Sequence, residues 1–141
     1  MLTDCLFEGV GGPAVFADRI STVQLSGVRM EEVGFNGPMV DIRHCWGSVD
    51  ITRGHIDITG HREFTGPTGT RVTARPTAIY SVQWAEDLRI DPAYVYSEMP
   101  GLEYVVKPAG GTWRRHRLAP PALAGASRTA GYDPLRGSPG I

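Results

Sequence analysis

The chain has 141 residues, 41% of them hydrophobic, and a net charge of −1. This composition fits one globular domain and excludes an intrinsically disordered average, while no apolar run approaches the roughly 20 residues of a membrane span. Residues 1–106 carry 8 arginines and 14 acids, whereas residues 107–141 carry six basic residues and one acid, so the acidic main part does not favour nucleic acid as a ligand.

The first 60 residues repeat themselves. Leu2–Gly11 recurs as Leu25–Gly34 at an offset of 23, and Leu2, Phe7 and Val10 then fall on Leu25, Met30 and Val33. The match resumes at offsets of 25 and 26, which place Gly12–Val15 on Gly37–Val40 and Val23–Leu25 on Val49–Ile51. Self-similarity with a period between 20 and 30 residues is typical of a solenoid.

Short strands of alternating character fill these repeats. Residues 2–20 form most of a first coil that begins partway through a turn, from which we expect a piece of a longer protein with an incomplete N-terminal end. The predicted strands each read apolar, polar, apolar, and Gly-rich turns separate them. They are Val23–Leu25, Val28–Met30, Val40–Ile42, Val49–Ile51 and Ile56–Ile58.

Stacking of these strands predicts which side chains meet on the outer wall. Gln24 is expected beside Asp50. If the turn from residue 52 to 55 is two residues longer than its counterpart, Ile56–Ile58 stacks on Val28–Met30 at an offset of 28. Arg29 then lies beside Asp57 as a surface ion pair.

The pattern changes after residue 60. Residues 61–76 interrupt it with the loop Gly66–Thr70 and a short strand at Arg71–Ala74. Residues 77–106 regain apolar strands and read either as a fourth coil or as a section that caps the core. We therefore assign residues 1–106 to coils and a terminal section. The Pro-, Gly- and Arg-rich residues 107–141 are predicted to be a disordered tail.

The repeats of residues 2–60, with three-residue strands separated by glycine turns, resemble the right-handed parallel β-helix of pectate-lyase-like enzymes and phage tail spikes. The pair of motifs Gly12–Val15 and Gly37–Val40 marks the repeat but no catalytic family. The resemblance implies an all-β fold and a polysaccharide ligand. It also implies homotrimer assembly, as in tail spikes, and an extracellular or virion-associated location, although no signal peptide is visible.

Candidate catalytic residues are the outward acids Asp41, Asp50 and Asp57, since glycoside hydrolysis uses paired carboxylates. No two of them are clearly stacked in the predicted coils, and each is equally read as a solvated wall acid. Lyases of the resembling family use an acid-bound cation and an Arg or Lys base, for which Arg29, Arg43 and Arg53 are available.

Candidate binding residues are Trp46, Arg53 and Trp84, because exposed aromatic rings pack on the C–H faces of sugars. The alternative is that the aromatic residues cap the end of the core. The spacing of His44, His55, His61 and His116 matches no metal motif, and no cofactor is predicted. Cys5 and Cys45 align with apolar residues of other repeats and are interpreted as buried thiols.

Two functions remain open from the sequence. The first is a non-enzymatic structural or glycan-binding segment of a larger β-helix protein of the tail-spike or surface type, indicated by the repeat and by the lack of a catalytic motif. The second is a fragment of a polysaccharide hydrolase or lyase whose active site lies mainly outside this chain. Fold alone does not separate them.

Overall fold

The chain folds into β-strands. The computed structural model describes residues 1–34, 37–58, 62–65, 68–69, 71–74, 76–98 and 102–125, with residues 62–65 and 71–74 described by their backbone alone. In these residues every regular element is a strand and none is a helix, so the described part contains no helix that could span a membrane. The strands are β1 (Leu2–Thr3), β2 (Leu6–Glu8), β3 (Val15–Ala17), β4 (Val23–Ser26), β5 (Arg29–Glu31), β6 (Pro38–Thr52), β7 (His55–Ile58), β8 (Arg62–Thr65), β9 (Arg71–Ala74), β10 (Ala78–Ile90), β11 (Tyr94–Ser97), β12 (Glu103–Val106), β13 (Thr112–Leu118) and β14 (Ala122–Gly125).

Two parallel sheets contain all of these strands except β8 and β9. The first sheet, sheet A, has the order β1-β4-β6-β10-β12, with β3 also paired to β6 and β13 also paired to β10. The second, sheet B, has the order β14-β11-β7-β5-β2. The remaining two strands, β8 and β9, form an antiparallel hairpin. The chain therefore returns repeatedly to lay a new strand beside an earlier one, in the same direction.

The strand pairing confirms the main offsets of the sequence repeat. Leu2 pairs with Leu25 at an offset of 23. Val15 pairs with Val40 at 25, and Val23 pairs with Val49 at 26. Each predicted match of these residues is thus a contact between neighbouring parallel strands, about 4.8 Å apart. Gln24 also lies beside Asp50, as predicted.

Alternation along each strand forms the core. The apolar members of the predicted triplets are buried and the polar member between them is more exposed, as in Val23, Gln24 and Leu25. The same inward column continues across neighbouring strands, where Val40 pairs with Tyr80 and Tyr80 pairs with Val105, all of them fully buried. Because one face of every strand joins these columns, successive repeats share a single continuous apolar core.

The turns between the two sheets are also alike. Asp4, Gly27 and Arg53 stand at equivalent positions, and all three have a left-handed backbone, with φ of 53°, 65° and 54°. The turn backbones hydrogen-bond to one another, since the Asp4 N–H donates to Ser26 O and the Gly27 N–H donates to Thr52 O, both over 2.9 Å. The ladder of hydrogen bonds thus continues through the corner as well as along the strands.

The predicted stacking of β7 is wrong by two residues. Ile56 pairs with Met30 rather than Val28, because the turn after β6 has the same length as the turn after β4. A shift of two residues keeps the inward and outward sides unchanged, so the alternation could not reveal the error. As a result Asp57 lies beside Glu31 and not beside Arg29. Arg29 instead forms an ion pair with Glu31, over 2.7 Å.

The region after residue 60 resolves into a hairpin and further parallel strands. Arg71–Ala74 is a strand, as predicted, and it pairs with Arg62–Thr65. Of the predicted loop Gly66–Thr70, residues 66, 67 and 70 lie outside the described residues. Beyond the hairpin, β10 pairs in parallel with β6, so residues 78–106 continue the repeat pattern.

The prediction that the chain becomes disordered at residue 107 is wrong for two segments. Thr112–Leu118 forms β13 against β10, and Ala122–Gly125 forms β14 against β11. The side chain of Trp113 is buried and its indole N–H donates to the Val82 carbonyl oxygen over 2.7 Å, which fixes this segment to the core. Residues 126–141 lie outside the described residues.

The two cysteines differ in burial. Cys45 is fully buried and pairs by an isolated bridge with Ile20, in agreement with the predicted alignment. Cys5 is only half-buried, because it belongs to the first repeat and no strand of the described residues covers it on one side. Both thiols are free.

Candidate functional site

An open trough crosses the outer face of sheet A. It consists of two adjoining depressions of about 350 and 270 Å³ that share Arg43 and Gln83. Strands β6 and β10 form its floor, and the segment between β12 and β13 forms one wall. The side chains and backbone that line it come from four successive passes of the chain: Asp18, Arg19, Pro38, Asp41, Arg43, His44, Ser81, Gln83, Trp84, Pro108 and Gly110.

Three aromatic rings lie at one end of this trough. The imidazole of His44 stacks on the indole of Trp84, with ring centroids 4.7 Å apart and an angle of 8° between the planes. Trp46 meets the same imidazole edge-on at 5.6 Å and leaves 56% of its own surface exposed. Parallel pairing produces this cluster, because Trp84 pairs with His44 in adjacent strands. Trp84 lines the trough, and Trp46 extends the aromatic surface beside it.

Charged and amide groups occupy the rest of the trough. The guanidinium Nε of Arg43 donates to both carboxylate oxygens of Asp41, over 3.0 and 3.1 Å. The same guanidinium lies 5.7 Å from the ring centroid of Phe16. Asp41 is held close to the wall, with 13% of its side chain exposed, whereas 54% of the Arg43 side chain is exposed. Arg43 therefore offers donors to the solvent side while Asp41 fixes its position.

The three predicted catalytic acids do not come together. Asp41 and Asp50 lie on β6 at opposite ends of sheet A, and Asp57 lies on β7 in sheet B. Asp41 is bound by Arg43, and one oxygen of Asp50 lies 3.9 Å from the guanidinium of Arg89. Of the three, Asp41 alone lines the trough. This arrangement lacks the paired carboxylates of glycoside hydrolysis at the predicted positions.

The three predicted binding residues separate into two places. Trp46 and Trp84 meet through His44, as described above. Arg53 lies on the turn between β6 and β7, where its guanidinium donates to the Ser26 hydroxyl oxygen over 2.9 Å and lies 3.9 Å from Asp4. It is therefore remote from the trough in sequence register and in its contacts, and it stabilises a corner instead.

The structure adds trough residues that the sequence analysis did not single out as binding residues. His44 was interpreted as an ordinary turn residue, and Gln83, Asp18 and Arg19 were not considered. Trp46 also lies within β6 and not in a turn. The sequence did contain one usable signal, which is that Asp18 and Arg43 share the offset of 25 that pairs Val15 with Val40. The column continues to Gln83 only through the longer offset of β10.

Metal binding has no support in the described part of the chain, where no group of three or more His, Cys, Asp or Glu side chains converges. His44, His55 and His116 each contact an aromatic ring: His44 meets Trp84, His55 meets Tyr94 at 4.9 Å, and His116 meets Trp113 at 5.7 Å. These contacts give the histidines a packing role in their strands.

Comparison of the chain with protein-family models, with curated proteins and with solved structures finds no match. The function therefore has to be argued from the geometry of the sheets and of the trough.

Proposed function

We propose that this chain is a segment of a right-handed parallel β-helix that binds a polysaccharide without cleaving it. The architecture is supported by strands that pair in parallel at recurring offsets and by turns that hydrogen-bond to their counterparts. Right-handedness follows from general sterics, because crossover connections between parallel strands of one sheet are right-handed in about 98% of cases.

The observation that carries the binding proposal is the aromatic cluster at the edge of a polar trough. Flat indole faces offer apolar surface to the C–H groups of a sugar ring, while amide and guanidinium groups pair with its hydroxyls. Trp46 supplies an exposed ring, Trp84 is stiffened by its stack on His44, and Arg43 and Gln83 supply donors beside them. A stiff ring loses little conformational entropy when a ligand packs against it.

The open shape of the trough favours a chain-like ligand over a small compact one. Its lining residues come from successive parallel passes of the chain, so equivalent groups recur along the axis of stacking at roughly 4.8 Å. A polymer with a regular repeat can contact several of these passes at once. Charges within the trough nearly cancel, since Asp18 and Asp41 oppose Arg19 and Arg43, which favours hydroxyl-rich neutral sugars over strongly anionic ones.

A screen of immobilised polysaccharides tests the proposal. The full chain, carrying a fluorescent label, is applied to neutral and acidic polysaccharides from plant, capsular and lipopolysaccharide sources, and any hit is quantified by tryptophan fluorescence titration. We expect Trp84→Ala and Trp46→Ala each to weaken binding by about tenfold or more, because each removes a stacking surface worth about 1.4 kcal/mol or more.

Tyr94→Ala is the matched control. Tyr94 is also an exposed aromatic residue, with 41% of its surface accessible, but it lies on sheet B. We expect this variant to bind like the wild type. Equal losses in the Trp84 and Tyr94 variants would exclude the trough as the site. Release of reducing ends or of unsaturated products from a bound polysaccharide would instead support the hydrolase or lyase alternative.

A further inference from the structure

The two ends of the stacked strands are complementary to each other. At one end, β1 and β2 are the edge strands of the two sheets, and at the other end, β13 and β14 are edge strands among the described residues. Every pairing between these edges is parallel, so the outward edge of the first repeat and the outward edge of the last repeat carry unpaired backbone groups of opposite sides. Unpaired edges of this kind are templates for another strand.

Both inward columns of apolar residues would continue in register across a junction of these ends. In sheet A the column runs through Leu2, Leu25, Ile51, Ile90 and Leu118. In sheet B it runs through Phe7, Met30, Ile56, Val95 and Leu123. The separation of first and last members is the same in both sheets, 118 − 2 = 116 and 123 − 7 = 116. One translation therefore places Leu2 on Leu118 and Phe7 on Leu123 at the same time.

The first repeat also exposes apolar surface at this end. Four of the six large hydrophobic side chains that are exposed in the described residues belong to it: Met1 at 86%, Phe16 at 60%, Leu6 at 56% and Ile20 at 37%. A shallow depression of about 160 Å³ lies between Leu2, Val15 and Leu25. Inward side chains that are fully buried in the middle repeats, such as those of the Leu2 and Phe7 columns, are only half-buried here.

Charge decides which occupant fits this surface. Residues 1–20 carry three acids and one arginine, a net charge of −2, whereas residues 107–125 carry one lysine, three arginines and no acid, a net charge of +4. Contact of two N-terminal ends would bring like charges together and would require antiparallel pairing of the edges. Contact of an N-terminal end with a C-terminal end brings opposite charges together and keeps the pairing parallel.

We propose that the first repeat of one copy of this chain docks on the last repeat of a second copy. Strands β1 and β2 of one copy then extend the sheets beyond β13 and β14 of its neighbour. The contact is heterologous, so each copy keeps one free end of each type, and assembly proceeds by addition to an open row and not by closure into a ring of fixed size. This assembly is independent of the sugar-binding proposal, since it uses the ends of the sheets and not their faces.

Sedimentation velocity on the full chain tests the assembly across about two decades of protein concentration. We expect the weight-average mass to rise with concentration and to fall as salt is added, because the two ends attract by charge. Leu2→Lys blocks the N-terminal end and Leu118→Lys blocks the C-terminal end, so each variant alone should be monomeric. An equimolar mixture should form dimers and nothing larger, because each variant keeps the end that the other has lost.

Leu6→Lys serves as the matched control, because Leu6 is at the same end but points outward, and it should assemble like the wild type. Circular dichroism melts establish that the variants remain folded. Glu8→Lys, a change of an exposed residue, provides a second route if a leucine variant unfolds, and it should weaken assembly several-fold. A wild type that stays monomeric at all concentrations, a closed trimer, or a mixture that yields no dimer overturns the proposal.

Discussion

The first repeat and the middle repeats have one sequence pattern and different degrees of burial. Leu2 and Leu25 are the same residue at equivalent positions of adjacent strands, yet Leu25 is 3% exposed and Leu2 is half-buried. Phe7 is likewise half-buried, while Ile56 in the same column is fully buried. The pattern specifies which way a side chain points, and the presence of a neighbour on each side determines how far it leaves water.

The largest expected difference between the two regions is the cost of losing a core leucine. Leu25→Ala removes a side chain with strands on both sides and should lower the free energy of unfolding by about 2–5 kcal/mol. Leu2→Ala removes the same atoms where solvent already reaches them and should cost less than half as much. Urea unfolding of both variants measures the difference. Equal costs would mean that the first repeat is as well covered as the second, in solution.

A second contrast concerns glycines. A Cβ added at Gly54 would lie 2.7 Å from the hydroxyl oxygen of Tyr80, whose fully buried ring cannot move aside, so Gly54→Ala should destabilise by about 1–3 kcal/mol. Gly12 of the first repeat has no atom within 4 Å of such a Cβ. Gly12→Ala should therefore leave the thermal midpoint nearly unchanged. A comparable loss at both glycines would contradict the tight packing of the middle repeats.

The buried tyrosines make the middle repeats sensitive to alkali. Burial raises the pKa of Tyr80 and of Tyr104 well above the ordinary value of 10.0, and the two rings meet edge to face with centroids 5.6 Å apart. Above pH 10 the unfolded chain loses these protons while the folded chain keeps them, so stability falls as pH rises from about 10. The slope is about 1.4 kcal/mol per pH unit for each tyrosine.

Tyr104→Phe tests this sensitivity directly. The hydroxyl of Tyr104 is buried without a hydrogen-bond partner among the described residues, so its removal should cost nothing at pH 7. The variant should lose roughly half of the alkaline slope, as measured by chemical unfolding between pH 9 and about 11. Tyr94→Phe, at an exposed position, is the control and should keep the full slope. An unchanged slope in the Tyr104 variant would show that its ring is hydrated.

The repeat could be predicted from the sequence up to β7, because each of its strands follows a strict two-residue alternation. The strand β13 could not, since Arg114 and Arg115 interrupt that alternation. The structure shows why the interruption is tolerated: the strand register shifts between Ala85 and Asp87, and the inward positions there are Ala85, Leu88 and Ile90. Spacings of three and then two recur at Trp113, His116 and Leu118, which pair with those three residues. A search for that spacing would have found the last repeat.

The candidate site could be predicted only in part. Trp46 and Trp84 were singled out individually by residue type, but their contact through His44 depends on an offset of 40 residues between paired strands. The hairpin of β8 and β9 lengthens this offset from the 25 of the earlier repeat. Composition and spacing indicate that residues 61–76 break the pattern without giving the number of residues they add to the repeat, so the stacked pair emerges only from the folded chain.

The smallest expected difference lies between two surface ion pairs. Arg43 contacts both oxygens of Asp41, which is 13% exposed, whereas Arg53 lies 3.9 Å from an Asp4 whose side chain is 73% exposed. Asp41→Asn should cost up to about 1 kcal/mol, since it removes an ordered two-oxygen contact. Asp4→Asn should have no measurable cost, because the pair is solvated and Asn tolerates the left-handed φ of 53° at this turn. Thermal melts at low and high salt separate the two, since added salt should narrow the gap between the Asp41 variant and the wild type. A gap that salt leaves unchanged would assign the cost to packing of the Asp41 side chain against the trough floor and not to its charge.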